Sequence, residues 1–253
     1  MKFSIVTASY NAANELLRTA RSIAKQSYRD FEWIVVDGAS SDGTKKLFKE
    51  YHPEFAAAFT SEPDAGIYNA LNKGIARISG DWVLFLGAGD ELFASDTLQI
   101  LSEYLPHVDA SKTLVYGDVH EVGNQDNLVL KVRNERWEGL DGPWVIGRPV
   151  LPCHQGVLHR AQIFTDGFRF DEKLKIAADN ELLLRELIAG RGCKIDQVVA
   201  KFLRGGISSG NTNRARMIFE CIAVNWKIGI FWRRPIYQVI LLLAAAVKPY
   251  LQR

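Results

Sequence analysis

The stretch Gly80–Glu91, GDWVLFLGAGDE, decides how the chain is read. Trp82–Leu86 is a short unbroken apolar run, the pattern of a strand buried on both faces. It ends in Gly87-Ala88-Gly89, three residues with almost no side chain, followed by two carboxylates, Asp90 and Glu91. Ligands of an open α/β sheet bind at the carboxyl ends of its strands. Small residues there let a bulky ligand approach the backbone, and a carboxylate can hold a hard cation such as Mg²⁺ or Mn²⁺ through oxygen. The plain alternative is a strand, a glycine turn and two solvated acids. The rest of the chain decides between them.

Upstream, Phe3–Ala8 reads as a buried first strand ending in Ser9-Tyr10-Asn11, with a helix after it carrying Leu16, Leu17, Ala20, Ile23 and Ala24 at helical spacing. Phe31–Val36 is a second strand, ending at Asp37-Gly38; Ser40–Thr44 leads into a helix around Lys45–Glu50. Phe55–Ser61 is a third strand, Glu62–Gly66 a turn and Ile67–Ile78 a helix. This alternation predicts a doubly wound, mostly parallel α/β sheet flanked by helices. Right-handed crossovers then bring Ser9, Asp37, Asp64 and Asp90 to one edge. Each alone is more often a cap or turn former; four together point to a site. No G-x-G-x-x-G or GxxxxGK[ST] follows a strand, which excludes the Rossmann and P-loop sites. A carboxylate after strand two suits a base N–H or ribose hydroxyl. One after strand four suits a divalent ion that neutralises a diphosphate. Together they describe a nucleotide-diphosphate donor.

Composition agrees with an enzyme-sized globular chain: 253 residues, 47% hydrophobic and 24% charged. A net charge of +2 gives no global argument for nucleic acid. Cys153, Cys193 and Cys221 are scattered and odd in number, so neither a zinc spacing nor a disulfide framework follows, and a reducing compartment is expected. The opening MKFSIVTASY turns polar too soon for a signal peptide.

SIVTASYN at Ser4–Asn11, WIVVDGASSDGT at Trp33–Thr44, SEPDAGIYNALNKGI at Ser61–Ile75 and GDWVLFLGAGDEL at Gly80–Leu92 resemble the ordered motifs of family 2 glycosyltransferases of GT-A fold. The likeness is dense over about the first 100 residues and sparse to about Arg185. It implies an inverting transferase that uses a nucleotide-activated sugar and a divalent metal, Mn²⁺ or Mg²⁺. Carried over by position, Thr7, Ser9, Tyr10, Asn11, Asp37, Asp64, Gly66, Tyr68, Lys73, Ala88 and Gly89 would bind the nucleotide sugar, with Asp37 on the base. Asp90 would be the metal ligand. The family commonly shows two adjacent acids; this chain has Gly89-Asp90, with Glu91 as a substitute of unsuitable side-chain direction.

Farther on, Ala94–Leu105 reads as a helix, Thr113–Val119 as a strand with Leu128–Val132 as its hairpin partner, and Asn134–Arg148 as a long irregular loop. Trp137 and Trp144 suit a sugar face or a core plug. The family resemblance assigns His154 and Gln155 to the acceptor or donor site, and places the catalytic base at the start of the helix in Leu174–Glu186. Here that position is Asp179, with Glu181 as runner-up and Arg185 steadying the helix or a phosphate. Inversion needs one carboxylate opposite the leaving diphosphate to take the acceptor hydroxyl's proton. Val198–Gly210 is a strand and loop whose Arg204 can close over the diphosphate.

Arg214–Phe231 is helical, and Ile236–Val247 is apolar with flanking aromatics and cations. Twelve helical residues span about 18 Å, short of the roughly 30 Å of a bilayer core. A segment lying in a membrane interface is expected, against a helix that packs on the domain. The expected organisation is a GT-A domain over 1–210, nucleotide-binding over 1–92 and acceptor-binding over 93–210, with a C-terminal helical membrane-associating segment at 211–253. The expected activity is transfer from a UDP-, GDP- or dTDP-sugar to a lipid-linked glycan in surface-polysaccharide assembly, at the inner face of the cytoplasmic membrane. The rivals are a nucleotidyltransferase, whose Gly/Lys-rich first loop TASYNAANE lacks, and an impaired nucleotide-sugar-binding module, which the glycine at 89 favours.

Overall fold

A computed structural model describes residues 1–51, 57–124, 128–205 and 213–251. Strands β1 (Phe3–Ser9), β2 (Phe31–Asp37), β3 (Ala57–Ser61) and β4 (Trp82–Phe85) form a parallel block in the spatial order β3-β2-β1-β4. Helices α1 (Ala13–Ala24), α2 (Thr44–Tyr51) and α3 (Ile67–Ile75) make the crossovers. Strands β1, β2 and β4 are largely apolar because both their faces are covered. Val6, Ile34, Val36, Val83 and Phe85 enter one core, and Phe3, Ile5, Trp33, Val35, Trp82 and Leu84 the other. Trp33 and Trp82 are fully buried, each stabilising the fold by about 1.5–3 kcal/mol.

Beyond β4 the sheet departs from the expected mostly parallel pattern. The short strand β5 (Glu91–Leu92) and helix α4 (Thr97–Tyr104) lead to β6 (Leu114–Val122), whose hairpin partner is β7 (Val129–Arg133). A small ribbon, β8 (Trp144–Val145) with β9 (Arg148–Pro149), stands apart. Then β10 (Val157–Arg160) runs antiparallel between β4 and β6, and β11 (Gly192–Leu203) lies parallel to β6 and antiparallel to β5. Parallel and antiparallel pairings are therefore equal, four of each, in a nine-stranded mixed sheet. The expected third strand began at Phe55, which lies outside the described residues; so does the loop expected after Gly205.

The remaining helices are α5 (Gln162–Thr165), α6 (Ala178–Ile188), α7 (Arg214–Lys227) and α8 (Pro235–Leu251). α8 has 17 residues, not the twelve expected: Pro235 starts it at a first-turn position that needs no N–H, and it runs past Val247 to Leu251. Gln238, which breaks the apolar run in sequence, is fully buried: it accepts from Asn225 Nδ2 at 2.8 Å and donates to the Phe231 carbonyl. Asn225 also donates to the Gly147 carbonyl, so α7, α8 and the β8–β9 turn are tied together. α7 adds Val224 to the main core. No helix among the described residues is long and apolar enough to cross a membrane.

β10 carries His159 into the core, where neither ring nitrogen has a hydrogen-bond partner. Its ring lies edge-on to Phe85 and His154, 5.4 and 5.2 Å between centroids. Desolvation, and secondarily the neighbouring His154, hold its pKa well below the ordinary histidine value. The folded chain therefore keeps His159 neutral while the unfolded chain protonates it below about pH 6.5. That contribution is intact above pH 6.5 and is lost on acidification, at about 1.4 kcal/mol per pH unit until the folded group also titrates. Urea unfolding at pH 7.5 and 5.0 is expected to show a smaller acid loss for His159→Asn than for wild type; equal losses would refute it.

Candidate active site

In-register pairing aligns Ser9 with Asp37 and Asp37 with Ser61. The Asp37 carboxylate is fully buried and accepts from the Ser40 amide at 3.0 Å, the Ser40 hydroxyl and the Ser61 hydroxyl at 2.6 Å. Both oxygens thus fix the loop after β2 as well as facing the edge where a base was expected. Asn11, at φ 47°, donates its amide to Ser40 Oγ and accepts from the Ser41 amide, lacing the β1 and β2 loops together. Tyr10 projects into solvent with 67% of its surface exposed. Asp64 accepts from the Gly66 amide at 2.9 Å and lies over Gly38, where an added Cβ would come within 2.5 Å of Asp64 Oδ2. Tyr10, Asp64 and Gly38 therefore frame one opening. Ser9 Oγ, buried without a partner, lies behind it.

Two expected donor residues stand elsewhere. Thr7 is fully buried with its hydroxyl accepting from Trp33 Nε1 at 3.0 Å, because a mid-strand side chain on that face points into the core. Lys73 lies 2.9 Å from Glu62 and donates to the Pro63 carbonyl, bracing the turn before α3. Of the acceptor-side expectations, Trp144 packs against the core and donates to Leu140, with Arg234 over its ring. Arg185 pairs with Glu181 within α6 at 2.8 Å. Arg204 follows β11, exposed and 3.5 Å from Glu121.

Asp179 sits in the first turn of α6 with its side chain 24% exposed. Tyr68, from α3, donates its hydroxyl to Asp179 Oδ1 at 3.0 Å. Burial first, and the Asp179 charge second, push the Tyr68 phenol well above its ordinary value, so it stays a donor. Asp179 Oδ2 faces His154 Nδ1 at 3.9 Å, too long for a hydrogen bond. Burial lowers the His154 pKa, so that ring is neutral near pH 7, stacked on Phe85 at 5.3 Å. Glu181, the alternative base, is buried and paired with both Arg185 and Lys227.

The segment before α6 is held by a residue that sequence reading missed. Glu220, on α7, accepts from the amides of Lys175, Ile176 and Ala177 at 2.8–3.0 Å. Three successive N–H groups closing on one carboxylate form an anion nest that fixes the approach to α6, a helix with no side-chain cap of its own. Asn69 and Asn72 of α3 bind Glu172, and Asn72 also exchanges bonds with the Phe170 backbone. The amide-rich face of α3 was the only sequence signal for these contacts.

The expected metal position is Asp90. It is 4% exposed; Oδ1 accepts from the Leu203 amide at 2.9 Å and Oδ2 from the Gly87 amide at 3.1 Å. Burial pushes its carboxyl up to about 7, against those bonds and one from Gln155. Ala88 beside it is half-buried. Glu91, the suggested substitute, is engaged with Arg18. Among the described residues no three His, Cys, Asp or Glu side chains converge as a metal cage. A hard cation needs accessible oxygen ligands, so the side chains present do not fit a resident divalent ion.

Comparison with known proteins places this geometry. Residues 4–143 match the family model described as glycosyl transferase family 2. The PGL/p-HBAD biosynthesis glycosyltransferase of Mycobacterium bovis is 31% identical over 186 residues, 72% of this chain and 68% of that protein. The amylovoran biosynthesis glycosyltransferase AmsB of Erwinia amylovora is 32% identical over 138 residues, 52% of this chain and 45% of that protein. The mannosyltransferase PcManGT from Pyrobaculum calidifontis, solved with GDP-Man and Mn²⁺, superposes with a TM-score of 0.67 over 97% of this chain and 73% of its own. Its 19% identity makes that a likeness of fold, one that agrees with a GT-A sheet. With more than half its length under the family model and a relative of 31% identity matched over two thirds of both chains, the chain belongs to glycosyl transferase family 2.

Proposed function

We infer that the chain is an inverting glycosyltransferase that moves a sugar from a nucleotide-diphosphate sugar to a hydroxyl of a lipid-linked glycan. Asp179 carries the reading. One of its oxygens is fixed by Tyr68 and the other accepts no hydrogen bond among the described residues. In the proposed step the acceptor oxygen attacks the anomeric carbon, its proton passes to Asp179 Oδ2, and the bond from carbon to the diphosphate oxygen breaks. Tyr68 keeps the carboxylate oriented, and neutral His154 adds no competing cation beside it. Exposed Tyr10 offers a face for the base, while Asp64 and Gly66 border the sugar-diphosphate. The relatives named for PGL/p-HBAD and amylovoran biosynthesis support a glycolipid or polysaccharide acceptor.

The acceptor's lipid and the C-terminal surface suit each other. Ile236, Val239, Ile240 and Leu243 of α8 are exposed beside Trp226 and Trp232, with Arg233 and Arg234 at the rim and no acid in α8. An apolar stripe with interfacial aromatics and cations beds into an anionic bilayer surface. The proposed location is therefore peripheral, at the inner face of the cytoplasmic membrane, with 211–253 as the contacting part. Co-flotation with vesicles containing phosphatidylglycerol is expected for wild type and lost in Trp232→Ser/Ile236→Ser/Ile240→Ser. Retained flotation by that triple variant, or a wild-type dimer by light scattering that ignores vesicles, would refute it.

Nucleotide release from UDP-, GDP- and dTDP-sugars, with extracted membranes as acceptor source, tests the chemistry. Asp179→Asn is expected to lower turnover by about 10²- to 10⁴-fold, with thermal shifts by free nucleotides unchanged. Near-normal turnover would remove Asp179 as the base. Nucleotide shifts in wild type without turnover would favour the impaired-module reading. Glu220→Ala, which empties the nest behind Asp179, is expected to lower turnover roughly ten- to hundredfold with KM for the donor unchanged; an unaltered turnover would show that the segment holds itself.

A further inference from the structure

We propose that this chain binds its donor without a divalent cation, and that Asp90 acts instead as a latch joining the turn after β4 to the end of β11. The proposal rests on the donor-site reading above. Its first support is the turn itself. An added Cβ at Gly87 would lie 2.8 Å from Asp90 Oδ2. Gly89 has φ 98°, and its Cβ would lie 2.7 Å from Leu203 Cδ2. A side chain at 87 needs Asp90 Oδ2 to shift; one at 89 needs Leu203 Cδ2 to shift and takes a left-handed backbone that L-residues rarely adopt.

The second support is where the Asp90 carboxylate is used. Its oxygens are 2.9 and 3.1 Å from backbone amides on two different elements, and the group is shielded from solvent. A metal ligand presents its oxygens outward; this one turns them inward, onto β11 and its own turn. The other carboxylate beside the turn is Glu15 of α1, whose Cβ and Cγ would lie 3.5 Å from a Cβ at Gly89.

The third support is the supply of cationic side chains at the same edge. Lys175 Nζ donates to the carbonyls of Ala65 and Glu172, at 2.7 and 3.3 Å, and has no carboxylate partner among the described residues. It also lies 3.6 Å from a Cβ built on Gly66, at the uncapped start of α3. Arg204 is the residue immediately after the latched Leu203, and its side chain is 64% exposed. Lys175 and Arg204 are assigned the charge on the diphosphate, whose oxygens make charge-assisted bonds with such groups.

Calorimetric titration of the full chain with UDP and with GDP, in EDTA and then in Mn²⁺ or Mg²⁺, tests this. The expected result is that whichever nucleotide binds does so with affinities within about threefold in all three conditions, and about tenfold more weakly in Lys175→Ala and Arg204→Ala. Asp90→Asn is expected to lower the melting temperature without creating or removing a metal response. Binding that is tenfold or more tighter with metal, and that loses this gain in Asp90→Asn or Glu15→Gln, would overturn the proposal while leaving the donor reading intact. Binding of neither nucleotide, nor of dTDP, in any condition would overturn both.

Discussion

Strand register is the constraint on which the site depends. β1 pairs in parallel with β2 on one side and β4 on the other, and β2 with β3, so three crossovers deliver the polar ends of four strands to one edge. β4 stops at Phe85, opposite Val6, while β1 continues to Ser9. The turn at Gly87–Gly89 folds into the space so left, and Leu86 closes the ladder by donating to the Val6 carbonyl at 3.0 Å. A shift of one residue in any of these pairings would move each side chain to the opposite face of the sheet. The two cores differ in shape, Trp33 and Trp82 filling one and Val36 and Phe85 the other, so packing and site geometry are fixed together.

α3 is the second organising element. Its inner face, with Ala70, Leu71, Gly74 and Ile75, packs on the parallel block. Its other face reaches the C-terminal half through Tyr68, Asn69 and Asn72. Gly74 permits the close approach, since an added Cβ would lie 2.5 Å from Val6 Cγ1. One short helix thus sets the distance between the opening at Tyr10 and Asp64 and the carboxylate of Asp179.

The four parallel strands and their polar ends were legible because an unbroken apolar run between turn residues has few other readings. Asp37, Asp64 and Asp179 were named by position in the resembled motifs. β5, β8 and β9 have two residues each, too few to carry a period, and β10, VLHR, is a four-residue strand whose direction no local pattern gives. Tyr68, Glu220 and Asn72 were missed as positioning groups because their partners lie 111, 43–45 and 98–100 residues away. Thr7 shows the converse: a residue named by motif position whose side chain turns to Trp33.

The turn at Gly87–Gly89 also constrains how this sequence can change. A carboxylate introduced at 87 meets Asp90, and one introduced at 89 meets Leu203 on a backbone that L-residues avoid. Either single step costs stability before any new ligand is complete, and relief requires a concerted change at Leu203 or Asp90. The two glycines therefore form an epistatic unit with Asp90 and Leu203: a side chain gained at 87 or 89 is accommodated only with a shift of one of those partners.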